Sequence, residues 1–378
     1  MRIFLVFTVL AIGVASALPA SAADINSVHT GSCDIRISGP IAPGDDNALA
    51  NLVAAQNSDE PLVLCLDSEG GVLSTALRIA AFVYESGITT LVEQGARCES
   101  SCSIIFFMGT IHEDGIRSIR RSITPGGKVG IHRPSLIVDD SQTFQGSDIT
   151  RAFEIAMEAA GQITALGQNN DERTGEDWIP FAVVNHLLNT SFMDMFVIAT
   201  AGQAQEWNIQ VPELDWPNTV TTEFAWNLCN FGVRARMGWS HVSAPLELGT
   251  LAETSEEVPV VLTQRFMRGQ REPVVIESYD VRSAYESGPL RFGCVLDVSY
   301  PVGATSRMEV SVCVVPFLAL APRQVLLCEN QNERITVSSA LAGVAPDKDL
   351  STIIRELDRI TSGSIPSRDE TITTLRSP

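Results

Sequence analysis

The sequence predicts an α/β protein whose mostly parallel sheet is covered by helices, followed by a smaller β-rich, disulfide-bonded domain. Three observations predict this. Strand-like and helix-like runs alternate from Cys33 to about Val211, the pattern of a parallel sheet with helices packed on it. Beyond Trp216-Pro217-Asn218 the runs turn β-rich. The eight cysteines divide four and four between the two parts, so each half can pair internally.

Taken in order, Met1-Arg2, the apolar run Ile3 to Val14 and Ala20-Ser21-Ala22 read as a secretory signal peptide over residues 1–22. The run is too short to span a bilayer comfortably, and no cysteine follows the cleavage site to take a lipid. The first domain is expected over 23–215. Cys33 to Gly39 alternates as a half-buried strand should. Asp45 or Asp46 can cap a helix carrying Leu49, Leu52 and Val53 on its apolar face. Leu62 to Leu66 is a continuous apolar run, expected of a strand buried on both faces. Ser74 to Tyr84 has helical spacing, Ile88 to Val92 is a short strand, Ser101 to Met108 a buried apolar helix, and Lys128 to Ile131 another strand. Ile149, Phe153, Ala156, Met157, Ala160 and Ile163 form the stripe of a longer helix. The second domain, 216–361, should be antiparallel, with strands at Val258–Leu262, Pro273–Ile276, Phe292–Tyr300, Met308–Val315 and Gln324–Leu327. Lys348 to Ile360 closes it as a helix, and 362–378 is a polar, frayed tail.

Composition narrows the function classes. With 45% hydrophobic and 19% charged residues the chain can bury a sizeable core, which excludes disorder. Its 26 basic against 45 acidic residues give −19, which excludes a nucleic-acid binder, because that affinity needs clustered Lys and Arg. Anionic membrane surfaces should repel it, and no later stretch reaches transmembrane length, so no membrane insertion is expected. The cysteines fit an oxidising compartment, periplasmic or secreted. Zinc is the competing use, but neither C-x-x-C nor a familiar Cys/His spacing occurs. No metal and no cofactor are expected.

Acyl hydrolysis by serine needs a nucleophile, a base, a group orienting that base, and backbone donors for the oxyanion. Four segments can supply these parts. Asp67-Ser68-Glu69-Gly70-Gly71-Val72 joins a buried strand to a helix, and paired glycines let a backbone approach a ligand closely; a plain tight turn explains it as well. Arg97-Cys98-Glu99-Ser100-Ser101-Cys102-Ser103 runs into Ile104-Ile105-Phe106-Phe107, so a serine here is either a helix cap or a nucleophile at the positive helix end. Val129-Gly130-Ile131-His132-Arg133-Pro134 delivers a histidine at a strand end, pinned by a proline. Met193-Asp194-Met195-Phe196-Val197-Ile198 flanks an acid with apolar residues. Each segment alone has an ordinary structural explanation; together they have a chemical one.

In this order the segments resemble the Clp protease proteolytic subunit and its exported relatives in the crotonase-like superfamily, over about Cys33 to Val211. The family places paired glycines after a strand, a serine opening an apolar helix that closes on a glycine (Ser100 and Gly109), and a strand-end I-H-x-P (Ile131-His132-Arg133-Pro134). A handle helix follows, like Asp148 to Leu166, then an acid before a short apolar run, and an ending similar to Gln203-Ala204-Gln205-Glu206-Trp207-Asn208-Ile209. The Cys98 and Cys102 frame around the serine looks like the exported branch. The resemblance implies a Clp/crotonase-like spiral of strand–helix units. It implies Ser100 as nucleophile, His132 as base, Asp194 as orienting acid, and the backbone N–H groups of Gly71 and Ser101 as the oxyanion hole. Asp139, Asp140 and Asp177 are rivals for the acid. Glu69 stands where the family has proline, and Glu99 where a small residue is usual, which puts a carboxylate beside the nucleophile that could raise the base's pKa or obstruct substrate. A Ser–Lys dyad is opposed by Lys128 being the only lysine of the first domain.

The function expected is thus an exported serine peptidase that cleaves peptides or unfolded segments without ATP. The alternatives are a catalytically inactive binding protein and an esterase with the same triad. Related folds form rings or trimers, so a homo-oligomer is allowed unless the second domain blocks it. Cys98 and Cys102 can bridge locally, or pair with Cys33 or Cys65; the local bridge is preferred.

Overall fold

The computed structural model describes residues 22–28, 32–56, 60–135, 143–212, 214, 216–217, 220–236, 260–267, 274–287, 290–301, 309–318, 334–337, 339–345 and 347–362. Residues 1–21 of the expected signal peptide, the strand expected at Gln324–Leu327 and the tail beyond 362 lie outside them. In chain order the elements begin β1 (Asp24–Ser27), β2 (Ile35–Ser38), α1 (Asp45–Ala55), β3 (Val63–Asp67), α2 (Leu73–Ser86), β4 (Thr89–Val92), β5 (Arg97–Glu99) and α3 (Ser101–Phe107). Next come β6 (Thr110–Glu113), β7 (Ile116–Ile119), β8 (Arg121–Ile123), β9 (Lys128–Ile131), α4 (Gly146–Gly167), α5 (Phe181–Asn189), β10 (Phe196–Val197), α6 (Ala201–Glu206) and β11 (Ile209–Gln210). The remainder holds α7 (Thr222–Arg236), β12 (Val260–Met267), β13 (Val274–Ser287), β14 (Leu290–Pro301), β15 (Glu309–Leu318), β16 (Arg334–Val337) and α8 (Ile353–Thr361).

The mixed α/β architecture follows from the alternation. One sheet runs β1-β2-β3-β4-β8-β11, with β2, β3, β4, β8 and β11 parallel and β1 antiparallel at the edge. β4 is buried along its whole length and β3 through Leu64, Cys65 and Leu66, as expected of central strands in a covered parallel sheet. A second, small sheet runs β10-β9-β5, with β5 parallel and β10 antiparallel to β9. It is this sheet that carries the candidate chemistry. α2 packs on α3, which is buried throughout: Ile104, Ile105, Phe106 and Phe107 are all at most 1% exposed. Burying each such side chain contributes about 1.5–3 kcal/mol.

The later strands β12 to β16 form one antiparallel sheet in sequence order. α7 lies against it closely enough that a Cβ on Gly232 would stand 3.2 Å from Cβ of Val312. The chain then returns to its first half: Ala201 N–H donates to the Lys348 carbonyl and Leu350 N–H to that of Ala199, both at 2.8 Å. One apolar core runs through both parts, from Ile35 and Phe106 to Leu296 and Ile360. Three disulfides close Cys33–Cys65, Cys98–Cys102 and Cys229–Cys294, and Cys313 is disulfide-bonded too. Such oxidation belongs to an extracytoplasmic setting. Among the described residues no helix is long and apolar enough to cross a membrane.

Several local expectations are corrected. α1 is capped by Gly44 rather than by an aspartate; Asp45, 3% exposed, turns its carboxylate back to accept the Ala42 N–H at 2.7 Å. The segment from His112 to Arg121, for which the sequence predicts no element, contains the β6–β7 hairpin and leads into β8 of the main sheet. There Arg121 is fully buried and donates to the carbonyls of Phe107, Trp178 and Trp207. In α4 only the last turns pack: Ile163 is 2% exposed, whereas Ile149, Phe153 and Met157 of the predicted stripe are exposed.

Candidate active site

The site is built where β3 and β5 end side by side. Beyond β3 the chain stays paired: Ser68 N–H donates to the Arg97 carbonyl and Glu99 N–H to that of Ser68. Ser68, fully buried, uses its hydroxyl to accept the Gly70 N–H at 3.0 Å. This fixes a turn with Gly70 at φ +95° and Gly71 at φ +150°, the region where glycine is favoured. A Cβ on Gly70 would lie 2.7 Å from the Ser100 Cβ, and one on Gly71 would run into the Ile41 backbone. The glycine pair therefore touches the serine loop, which a turn alone does not require.

Ser100 joins β5 to α3 with φ 58° and ψ −129°. A non-glycine residue there costs of order 1–3 kcal/mol, held in place by its surroundings. The Cys98–Cys102 bridge brackets it, and its N–H donates to the Gly130 carbonyl at 3.0 Å. It occupies the helix cap position, yet its side chain makes no capping hydrogen bond. That removes the capping explanation, which competed evenly in the sequence. Ser101, 5% exposed, donates its hydroxyl to the Gly71 carbonyl at 3.3 Å. Among the described residues, the N–H groups of Gly71 and Ser101 make no hydrogen bond.

His132 follows β9 directly, and β9 pairs with β5 in the register Cys98↔Val129 and Glu99↔Gly130. Ser100 and His132 thus emerge from the same ends of neighbouring parallel strands. The imidazole Nδ1 lies 2.8 Å from the Arg133 carbonyl; since a carbonyl only accepts, Nδ1 is the donor, and in the neutral ring this makes Nε2 the acceptor. No hydrogen bond joins it to Ser100. Asp194 precedes β10, which pairs with β9 as Phe196↔Ile131. Its carboxylate is exposed and makes no hydrogen bond or ion pair among the described residues. Asp177 accepts from Asn170 at 2.9 Å, and Asp139 and Asp140 lie outside the described residues. His186 belongs elsewhere: it stacks on Phe196 at 3.6 Å, and burial pushes its pKa down.

Gly130 has no predicted role, yet it shapes the site. A Cβ there would stand 2.7 Å from Met195 Sδ and 3.1 Å from Glu99 Cγ, so its missing side chain makes room for both. A glycine inside a strand pattern is the signal that marks such a close approach. Arg97 pairs with Glu69 at 3.6 Å and Glu99 at 3.7 Å. The one cluster of metal-ligand residues among the described ones, Cys33, Cys65 and Glu93, has its two sulfurs bridged. A recess lined by Arg36, Leu66, Asp67 and Glu93 holds none of the groups gathered around Ser100. No family model matches the chain, and no curated protein matches it.

Proposed function

We propose that the chain is an exported, ATP-independent serine peptidase with a Clp/crotonase-like spiral in its first half. The observation that carries this reading is the conformation of Ser100: strained, bracketed by a disulfide, and free of the capping bond that would otherwise explain it. In the reaction, Ser100 Oγ attacks the scissile carbonyl while His132 Nε2 takes its proton. The free N–H groups of Gly71 and Ser101 receive the oxyanion; losing one such donor typically costs about 3–4 kcal/mol of transition-state stabilisation. The protonated imidazole then gives its proton to the leaving amine, and water repeats the sequence on the acyl-enzyme. The substrate is an extended peptide or unfolded segment lying along a strand edge; the exposed Val72, Met195 and Val197 offer it apolar contact.

The test is covalent labelling by a fluorophosphonate. Wild type is expected to take up the probe and Ser100→Ala not to, while circular dichroism shows both folded. Equal uptake by the two would end the peptidase reading. That outcome would leave the non-catalytic binding protein, which the unpartnered Asp194 favours. Cleavage of short esters but not of peptides would point to an esterase.

A further inference from the structure

We infer that Glu99 is the positioning residue for His132: its carboxylate stabilises the imidazolium formed when Ser100 is deprotonated, and the Arg133 carbonyl orients the ring. This rests on the Ser100–His132 reading above. Three observations lead to it.

The first is the alternation along β9. Val129 and Ile131 are buried and Lys128 is exposed, so Lys128, Gly130 and His132 leave the strand on the side away from the core. On β5, Cys98 is fully buried, so Arg97 and Glu99 leave on that same side. The second is register. Glu99 is paired with Gly130, and its Cγ comes within 3.1 Å of where a Gly130 Cβ would stand. The Glu99 stem therefore crosses toward β9, where the next side chain on that face is His132. The third concerns Asp194. Met195 lies over Gly130 at 2.7 Å from the same Cβ position. Asp194, before it, stands in a bend outside β10, and its carboxylate is exposed and makes no hydrogen bond or ion pair among the described residues.

The charges around Glu99 leave it able to act. On its own strand is Arg97, shared with Glu69 across the turn; one cation between two carboxylates leaves a net negative charge. From β9 come Lys128, opposite Arg97, and Arg133 after the histidine; from the β10 side comes Asp194. An exposed pair such as Arg97–Glu99 is worth little by itself, whereas a carboxylate beside an imidazole favours its charged form. During attack the Ser100 O–H bond breaks, its proton passes to Nε2, the new C–O bond forms and the carbonyl electrons move to the oxyanion. The positive charge appears only in that step, so Glu99 acts on the transition state.

The experiment is a titration of His132 by NMR in the full chain with labelled histidine, together with the pH dependence of fluorophosphonate labelling. Glu99→Gln is expected to move the measured His132 midpoint to lower pH. It should also move the acid limb of labelling by the same amount and slow labelling roughly tenfold or more. Glu99→Asp should keep part of the shift, and Glu69→Gln, which leaves Arg97 to Glu99 alone, should have a smaller effect than Glu99→Gln. A His132 pKa unchanged in Glu99→Gln, or lowered further by Asp194→Asn than by Glu99→Gln, would overturn the inference. Probe uptake by Ser100→Ala would sink the peptidase reading, yet the titration would still decide whether Glu99 governs His132.

Discussion

Gly70 shows how tightly a single residue can be specified. Its φ of +95° already favours glycine, but Gly39 at +86° shares that feature with nothing within 4 Å of its Cβ position. Gly70 adds the Ser100 Cβ and the Glu99 carbonyl oxygen at 2.7 Å. Gly39→Ala should therefore cost about 1 kcal/mol from backbone strain alone and leave labelling of Ser100 unaltered. Gly70→Ala should cost roughly 1–3 kcal/mol and slow labelling on the order of a hundredfold, because a displacement near 1 Å is enough. Urea midpoints and labelling rates measured side by side separate the two. At this scale the sequence was partly legible. The residue types and their order were visible, but cap and nucleophile could not be told apart at Ser100. A backbone angle and an unused hydroxyl separate them, and neither is written in residue types.

Elements whose pattern is set by their own burial were read closely from the sequence. The strand expected at Lys128–Ile131 is β9, and the apolar helix expected from Ser101 is α3. The β6–β7 hairpin around the Asp114-Gly115 turn was missed because its short strands alternate only weakly between polar and apolar residues. The α4 stripe was read as core because periodicity reports amphipathicity and cannot say whether anything covers the face. The disulfides allow a contrast between elements. Closing the 4-residue separation of Cys98–Cys102 restricts the unfolded chain by about 2 kcal/mol, against about 4 kcal/mol for the 32-residue separation of Cys33–Cys65. Replacing Cys33 and Cys65 by serine should thus lower the denaturation midpoint more. Replacing Cys98 and Cys102 should lower labelling more, since only that bridge brackets Ser100. The reverse ranking of labelling rates would show that the bracket does not govern the site.

At the scale of the whole molecule, the two parts are joined by polar as well as apolar contacts. Glu206, at the end of α6, faces Arg234 of α7. Burial raises the Glu206 pKa against the opposing pull of Arg234, and burial lowers that of Arg234 to about 10. A carboxyl whose folded pKa lies above its ordinary 4.5 favours folding fully below that value. The contribution is lost as pH rises through the folded pKa. Stability of wild type relative to Glu206→Gln should therefore fall as pH is raised from 4 toward neutrality, measured as the difference in urea midpoint. A difference independent of pH would show that Glu206 has the same pKa folded and unfolded. All the other charges are common to both chains, so the comparison isolates the one group. The two-part layout was legible from texture. Return of residues 339–362 onto the first half was not, because those contacts depend on backbone carbonyls such as that of Lys348.

The Cys98–Cys102 bridge also sets a timetable. A newly made chain still among cellular thiols would carry an unfastened serine loop, however complete the rest of its folding. The blade, on this reading, is locked open only after delivery, which spares the proteins of the cell that made it.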